Sequence, residues 1–441
     1  MHAASRFLIA LCCLPAVAGA NELLTVYDRA LTRDATLQAA GHARDAAAQA
    51  YPQARAALLP QLSAGYGYAY TDSETELQGQ PPQTRDGTNR SLDVTLNQAL
   101  FDWSAFQQLD QASQQVALAD SQYAAARQDL ALRVAQAYFG VLSANDTLRS
   151  ATAENEAVGR QLEQAKERFE VGLSAITDVQ ETQARFDLTV AQLIDAERAV
   201  QAANEALVEI TGARAAGVSQ LQDEIPLPAP APADSAAWVD AAREGNLALL
   251  GSRYIVAAAE AGVKVARGAH LPTVGARASY SDSTSETGVF PADTTQESYG
   301  VQVTLPLFSG LAVQSRVHQA RSTLEQRRSE LDGTVRNVER QTRDAYQAVV
   351  AGAARTKALK QAVVSSRTAL EASETGLEVG TRTAIDVLNA QQQLYLAERN
   401  YLQARYDYLL AVLTLKAVAG RLGRDDLAEI DALLVAAAVV P

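Results

Sequence analysis

Cysteine is almost absent from this 441-residue sequence: there are two, Cys12 and Cys13, side by side in the first twenty residues. That opening stretch reads as a secretory signal. Arg6 is its positive end, Phe7 to Leu14 its apolar middle, and Ala18-Gly19-Ala20 a small-residue cleavage site before Asn21. Neither cysteine follows the small residue that a lipoprotein cleavage site would need. A chain processed before Asn21 holds no cysteine, which excludes a disulfide framework, a thiol nucleophile and a thiolate metal site. Long apolar runs are missing too. Hydrophobic residues make up 48% of the sequence, yet beyond the N-terminus none approaches the ~18–20 consecutive residues of a membrane helix. Any entry into a bilayer must be made by strands.

Positive charge is in short supply. Against 38 Lys and Arg stand 51 Asp and Glu, and losing Arg6 with the signal leaves 37 − 51 = −14. That balance argues against a nucleic-acid partner, which needs basic patches, and it suits a water-filled path that favours cations and a solvated acidic surface equally. Histidine is sparse as well. His42, His270 and His318 are scattered without carboxylates at motif spacing, and no Gly-rich phosphate loop appears. Neither catalytic residues nor a cofactor or metal site are expected.

What is present is written twice. Phe169-Glu-Val-Gly-Leu-Ser-Ala-Ile-Thr-Asp-Val179 returns 208 residues later as Leu377-Glu-Val-Gly-Thr-Arg-Thr-Ala-Ile-Asp-Val387. In the same order, Leu59-Pro60 returns as Leu271-Pro272, Leu100-Phe101 as Leu307-Phe308, Tyr138 as Tyr346, and Thr211-Gly212 as Ala419-Gly420. Such order and spacing mark an internal repeat. The division is a signal at 1–20, a first repeat at 21–221, a proline-rich linker at 222–235, a second repeat at 236–420 and a C-terminal segment at 421–441. Ile225-Pro-Leu-Pro-Ala-Pro-Ala-Pro232 in the linker cannot be helix.

Each repeat predicts a helix and then two strands. In the first, 62–70 alternates Tyr66, Tyr68 and Tyr70 with Gly65, Gly67 and Ala69, and 91–100 sets Leu92, Val94 and Leu96 against Asp93, Thr95 and Asn97. In the second, 273–281 and 299–307 do the same, with Val301, Val303 and Leu305 against Gln302 and Thr304. Period-two patterning over about nine residues has the length and dyad repeat of a transmembrane β-strand, and each pair taken alone fits an ordinary soluble hairpin equally well. The stretches between, 71–90 and 282–298, are polar and read as long loops.

The rest is helix. After Asp102, an N-cap by type, apolar residues recur at Leu109, Ala112, Val116, Ala119, Tyr123, Ala126 and Leu130, a coiled-coil seam, and no proline occurs before Val171. About 70 residues at ~1.5 Å rise give a helix on the order of 100 Å long. A second such helix is expected from Ser309 to Val379, and each is followed by a returning helix, the first ending near 212. Four strands cannot close a barrel, and an open edge is not tolerated in lipid, so such a chain must associate. Two copies give eight strands and three give twelve.

Val171-Gly-Leu-Ser-Ala-Ile-Thr-Asp-Val-Gln180 and Val379-Gly-Thr-Arg-Thr-Ala-Ile-Asp-Val-Leu388 resemble the outer-membrane efflux proteins of the TolC type, and the resemblance extends over the mature chain. It implies a membrane α+β fold. Three identical chains would build a twelve-stranded transmembrane β-barrel, four strands from each, continued by an α-helical coiled-coil barrel in the periplasm of a Gram-negative bacterium. Such a duct works with a periplasmic adaptor and an inner-membrane efflux pump or ABC transporter to export drugs or secrete proteins. The resemblance places Val171, Gly172, Leu173, Val379, Gly380 and Thr381 at adaptor-contacting tips. Arg382 matches a latch arginine that closes the entrance against Asp178 beside Thr177, and Asp386 and Asn389 match two ring positions at the constriction. This sequence departs from the family pattern twice, with Asn389 where the family carries a second acid and Leu377 where it carries a latch tyrosine.

Other architectures share some of these features. A trimeric surface adhesin also builds a barrel from four strands per chain, though its strands lie together at the C-terminus. A periplasmic adaptor has a coiled-coil hairpin but no two separated strand pairs.

Overall fold

The computed structural model describes residues 22–76, 78–79, 81–214, 219–286 and 291–435, so the expected signal at 1–20 lies outside the described residues. The chain opens with three short helices, α1 (Glu22–Arg33), α2 (Ala35–Ala48) and α3 (Ala50–Ala56), followed by strands β1 (Gln61–Thr75) and β2 (Gln83–Phe101). Helices α4 (Trp103–Glu170) and α5 (Ile176–Thr211) come next, then the short strand β3 (Gln220–Leu221). The same order returns as α6 (Ser235–Gly245), α7 (Leu247–Gly268), β4 (Thr273–Ser285), β5 (Ala292–Thr304), α8 (Ala312–Glu378) and α9 (Ala384–Val418). Helix α10 (Arg424–Asp431) and strand β6 (Leu434–Val435) end the described chain. No helix among the described residues is long and apolar enough to cross a membrane.

The chain forms two compact units, and each draws on both sequence halves: one on residues 39–125 and 243–339, the other on the segments before, between and after them. The first unit carries the sheet, in the order β1-β2-β4-β5, with every neighbouring pair antiparallel. Residues directly opposite in an antiparallel pair share a face, so the register sorts all four strands at once. Leu62 lies opposite Leu96, Ala64 opposite Val94 and Tyr66 opposite Leu92. Leu96 in turn faces Ala278 and Val94 faces Tyr280, while Ala278 faces Tyr299, Ala276 faces Val301 and Val274 faces Val303. Around these rows the face is an apolar band; toward the β1–β2 and β4–β5 connections the same face turns polar, with Arg90 opposite Tyr68, Asp282 opposite Leu92 and Glu297 opposite Tyr280. The other face carries Asp93, Thr95, Asn97, Arg277, Ser279 and Gln302, with Ser281 Oγ donating to Asp93 Oδ1 at 2.7 Å. Every residue of the two edge strands, β1 and β5, is exposed.

The strands depart from the sequence expectation in length. Three run past the expected ends, to Thr75, from Gln83 and to Ser285, and β5 begins at Ala292 instead of 299. Much of the expected loop is thus ladder, with Glu74 opposite Thr84 and Ser283 opposite Thr294. Ladder bonds come from the backbone, so polar side chains do not end a strand. At its other end β5 stops at Thr304, short of 307, because Pro306 two residues on has no N–H to offer. The second long helix starts at Ala312, not Ser309, since Gly310 and Leu311 both hold left-handed backbone (φ 62° and 66°).

In the other unit α1 packs against α10 and α5, burying Leu23, Tyr27 and Leu427. Asp34 caps α2 by accepting from Leu37 N at 2.7 Å and takes both terminal nitrogens of Arg133 at 2.9 Å. Phe139 of α4 meets Tyr138 of the same helix edge-on and leans against Tyr406 of α9, and Tyr406 donates to Asp146 at 2.7 Å. The proline-rich linker is pinned along α9. Tyr408 donates to the Pro228 carbonyl at 2.7 Å, and Arg405 donates to that of Gln222.

Candidate functional site

The matched decapeptides fold into two tight turns, one joining α4 to α5 and the other α8 to α9. Each follows from its sequence. A helix end leaves carbonyls unbonded, and a glycine just past the end satisfies them by adopting left-handed backbone. Gly172 (φ 77°) and Gly380 (φ 79°) do this. Leu173 N then donates to Arg168 O at 2.7 Å, and Thr381 N to Gly376 O at 2.8 Å. A side chain at Gly172 or Gly380 would meet nothing within 4 Å, so backbone conformation alone selects glycine there. Around the glycines the turns are apolar and bare: Val171 is 69% exposed, Leu173 71% and Val379 68%.

The two outgoing helices start differently. Ala175 precedes α5 in extended conformation with no side-chain cap. Thr383 opens α9 with a full capping box, in which Asp386 N donates to Thr383 Oγ1 at 3.3 Å and Thr383 N donates to Asp386 Oδ2 at 2.8 Å. Asp178 and Asp386 occupy the same third position of their helices. The Thr383 backbone and hydroxyl hydrogen bonds, followed by the nearby Arg382 charge, hold the Asp386 carboxyl below the ordinary carboxylate range. Asp386 is half-buried and Asn389, one turn on, is exposed.

Arg382 and Thr177 are exposed and Asp178 is half-buried. Among the described residues no ion pair joins Arg382 to Asp178 within the chain; the arginine stem instead lies across α8 at Gly376. Leu377 lines a cavity of about 380 Å³ whose walls include Gln161, Arg168, Thr182, Glu378 and Val387. A hydrocarbon side chain there gives no hydrogen bond to any of them.

Sequence reasoning missed one feature of these helices. Glu154 on α4 is only 2% exposed, and it receives Arg185 of α5 and Arg399 of α9, each at 3.2 Å. One buried carboxylate thus ties helices from both sequence halves. No group of acids, histidines and cysteines suited to a metal ion occurs among the described residues.

A family model described as "Outer membrane efflux protein" matches residues 26–213 and 238–421. Outer membrane protein TolC of Vibrio cholerae serotype O1 is 37% identical over 420 residues, covering 94% of this chain and 94% of that protein. Alkaline protease secretion protein AprF of Pseudomonas aeruginosa is 34% identical, covering 92% of this chain and 85% of that protein. The solved structure of the outer membrane protein VceC from Vibrio cholerae superposes with a TM-score of 0.76 at 20% identity, covering 90% of this chain and 96% of that one.

Proposed function

The chain belongs to the outer membrane efflux protein family, and from that premise we propose that three copies form an exit duct closed by pairing β5 of one copy with β1 of the next. The protein is an outer-membrane channel for efflux or secretion, with its helical part in the periplasm. Membership removes the adhesin and adaptor readings, because this is a channel family.

One observation carries the proposal: a four-stranded sheet with an apolar band on one face, a polar opposite face and two exposed edges. In lipid the apolar face is solvated by acyl chains, and the unpaired edge groups, worth several kcal/mol each, demand partners. The strands alternate in direction, so the two edges run opposite ways and an antiparallel ladder closes between copies. The polar face then lines water. No metal or cofactor is required for this task.

The apolar turns around Gly172 and Gly380 are the surface for a periplasmic adaptor, with Val171, Leu173, Val379 and Thr381 in contact. The adaptor in turn connects the duct to an inner-membrane efflux pump or ABC transporter. At the entrance, Arg382 of one copy meets Asp178 and Thr177 of its neighbour, in keeping with the absence of an Arg382–Asp178 ion pair among the described residues of one chain. Asp386 and Asn389 ring the constriction, with half the charge that two acids would give.

Extraction in mild detergent followed by planar-bilayer recording tests the duct. Discrete single-channel steps are expected. A protein that stays soluble without detergent and gives no steps would overturn the proposal. Crosslinking in cells and identification of the captured periplasmic protein tests the docking turns, since substitution of Gly172 and Gly380 should abolish capture.

A further inference from the structure

The two tip turns differ at one buried position. Gly376 lies in the last turns of α8, and a Cβ placed on it would stand 2.6 Å from Cγ and 3.2 Å from Cβ of Arg382. Real Cβ atoms essentially never come as close as 2.6 Å, and the Arg382 Cβ is fixed by the backbone, so a side chain at 376 could be cleared only by swinging Cγ, and the whole arginine with it, to another rotamer. The Gly376 carbonyl also gathers the turn. It accepts from Thr381 N at 2.8 Å, Arg382 N at 3.1 Å and Thr381 Oγ1 at 3.1 Å. Nothing in the backbone calls for glycine here, since Gly376 is helical and absent from the left-handed positions. Within a helix glycine is worse than alanine. The path of the arginine is what excludes a side chain.

The first turn serves as the internal control. It makes the same closing bond, Leu173 N to Arg168 O. The positions 208 residues before Gly376 and Arg382 are Arg168 and Ser174. Where the turn residue is small, the helix beneath it carries a large side chain; where the turn residue is arginine, the helix beneath it is bare.

We propose that Gly376 is a positioning residue for the entrance: it seats the stem of Arg382 against α8, so that the guanidinium is offered to the neighbouring copy from a fixed root. The inference rests on the reading of Arg382 as part of the closed entrance. A long side chain loses rotamer freedom when it forms an ion pair, and a stem already packed has less to lose.

The test is planar-bilayer conductance of the trimer for Gly376→Ala, Arg382→Ala and the double variant. Alanine favours helix, so assembly and helix content should stay unchanged in Gly376→Ala. The expected result is a severalfold rise in conductance for each single variant and no further rise in the double, because Arg382→Ala removes Cγ, the atom 2.6 Å from a Cβ at 376, and leaves only the milder contact with Cβ at 3.2 Å. If Arg382→Ala raises conductance and Gly376→Ala does not, the seat is overturned and the latch stands. If Gly376→Ala raises conductance equally in the Arg382→Ala background, the change acts on the turn in general and the seat is again overturned. If Arg382→Ala has no effect, the latch reading fails and the seat fails with it.

Discussion

Thr383 and Asp386 hold each other at the start of α9, so the acid proposed for the constriction ring already has a task within its own chain. The two tasks separate by substitution. Thr383→Ala removes the cap and leaves the charge; it should cost about 1 kcal/mol, the usual worth of such a cap, read as a lower urea midpoint with cation preference intact. Asp386→Asn keeps an oxygen that can accept from Thr383 N and removes the charge, so cation preference should fall while the midpoint moves less. Equal loss of preference in both variants would mean that helix geometry, not ring charge, sets selectivity. The pH dependence has a definite sign. The folded-state carboxyl is held below its ordinary value, so its charge and the capping it supports are fully present above the unfolded pKa and disappear only as pH falls through the lower folded value. Cation preference should therefore persist through the ordinary aspartate range near ~3.9. The sequence motifs located these turns, since the two decapeptides that carry Gly172 and Gly380 each fold into a helix-to-helix turn with glycine just past the first helix; the cap that Thr383 gives to α9 was not read from them. Gly376 was not legible. Its reason is a side chain six positions away, and only the folded turn brings the two together.

Strands and helices were legible to different depths. Alternation fixed which residues share a face, and the register joins those faces into one surface with an apolar band and one polar surface. Strand length was not legible, because Ser, Thr and Asp read as loop even where the backbone continues its ladder. The faces give a direct prediction. The only cysteines, Cys12 and Cys13, precede the expected mature start, so single-cysteine variants report without background. A water-borne thiol reagent should label positions 95 and 302 in the assembled channel and spare 96 and 303; the opposite pattern would reverse the sheet. Among the helices, Glu154 could not be told from a solvated glutamate until α5 and α9 were placed beside it. Glu154→Ala strands Arg185 and Arg399, which are only 16% and 25% exposed. Breaking a buried pair from one side typically costs ~3–5 kcal/mol, and partial exposure puts this case at the low end. Denaturant unfolding measures it, and a loss no larger than that of an exposed pair would show that the charges are solvated after all.

How many copies close the sheet is a property of no single chain, and for that reason the sequence leaves it open on physical grounds alone. The polar face narrows the choice. It carries Asp93 and Arg277 together with Thr95, Asn97, Ser279 and Gln302. An eight-stranded barrel is filled by its own side chains, whereas a larger one leaves room for water. Two copies would therefore pack Asp93 and Arg277 into a dry interior, where an unpaired charge is prohibitively costly. No ion pair joins those two residues within the chain among the described residues, although Ser281 donates to Asp93. Three copies make twelve strands and keep both charges wet. Native mass measurement in mild detergent should give three chain masses, and the same preparation should conduct with a cation preference that weakens as salt rises, because screening shortens the reach of the Asp386 ring and of the chain's acidic excess. A conducting species of two chain masses would mean that Asp93 and Arg277 find partners across the interface, and the argument from a wet lumen would fail. A species of three masses that conducts without cation preference would keep the closure but place the acidic excess outside the path.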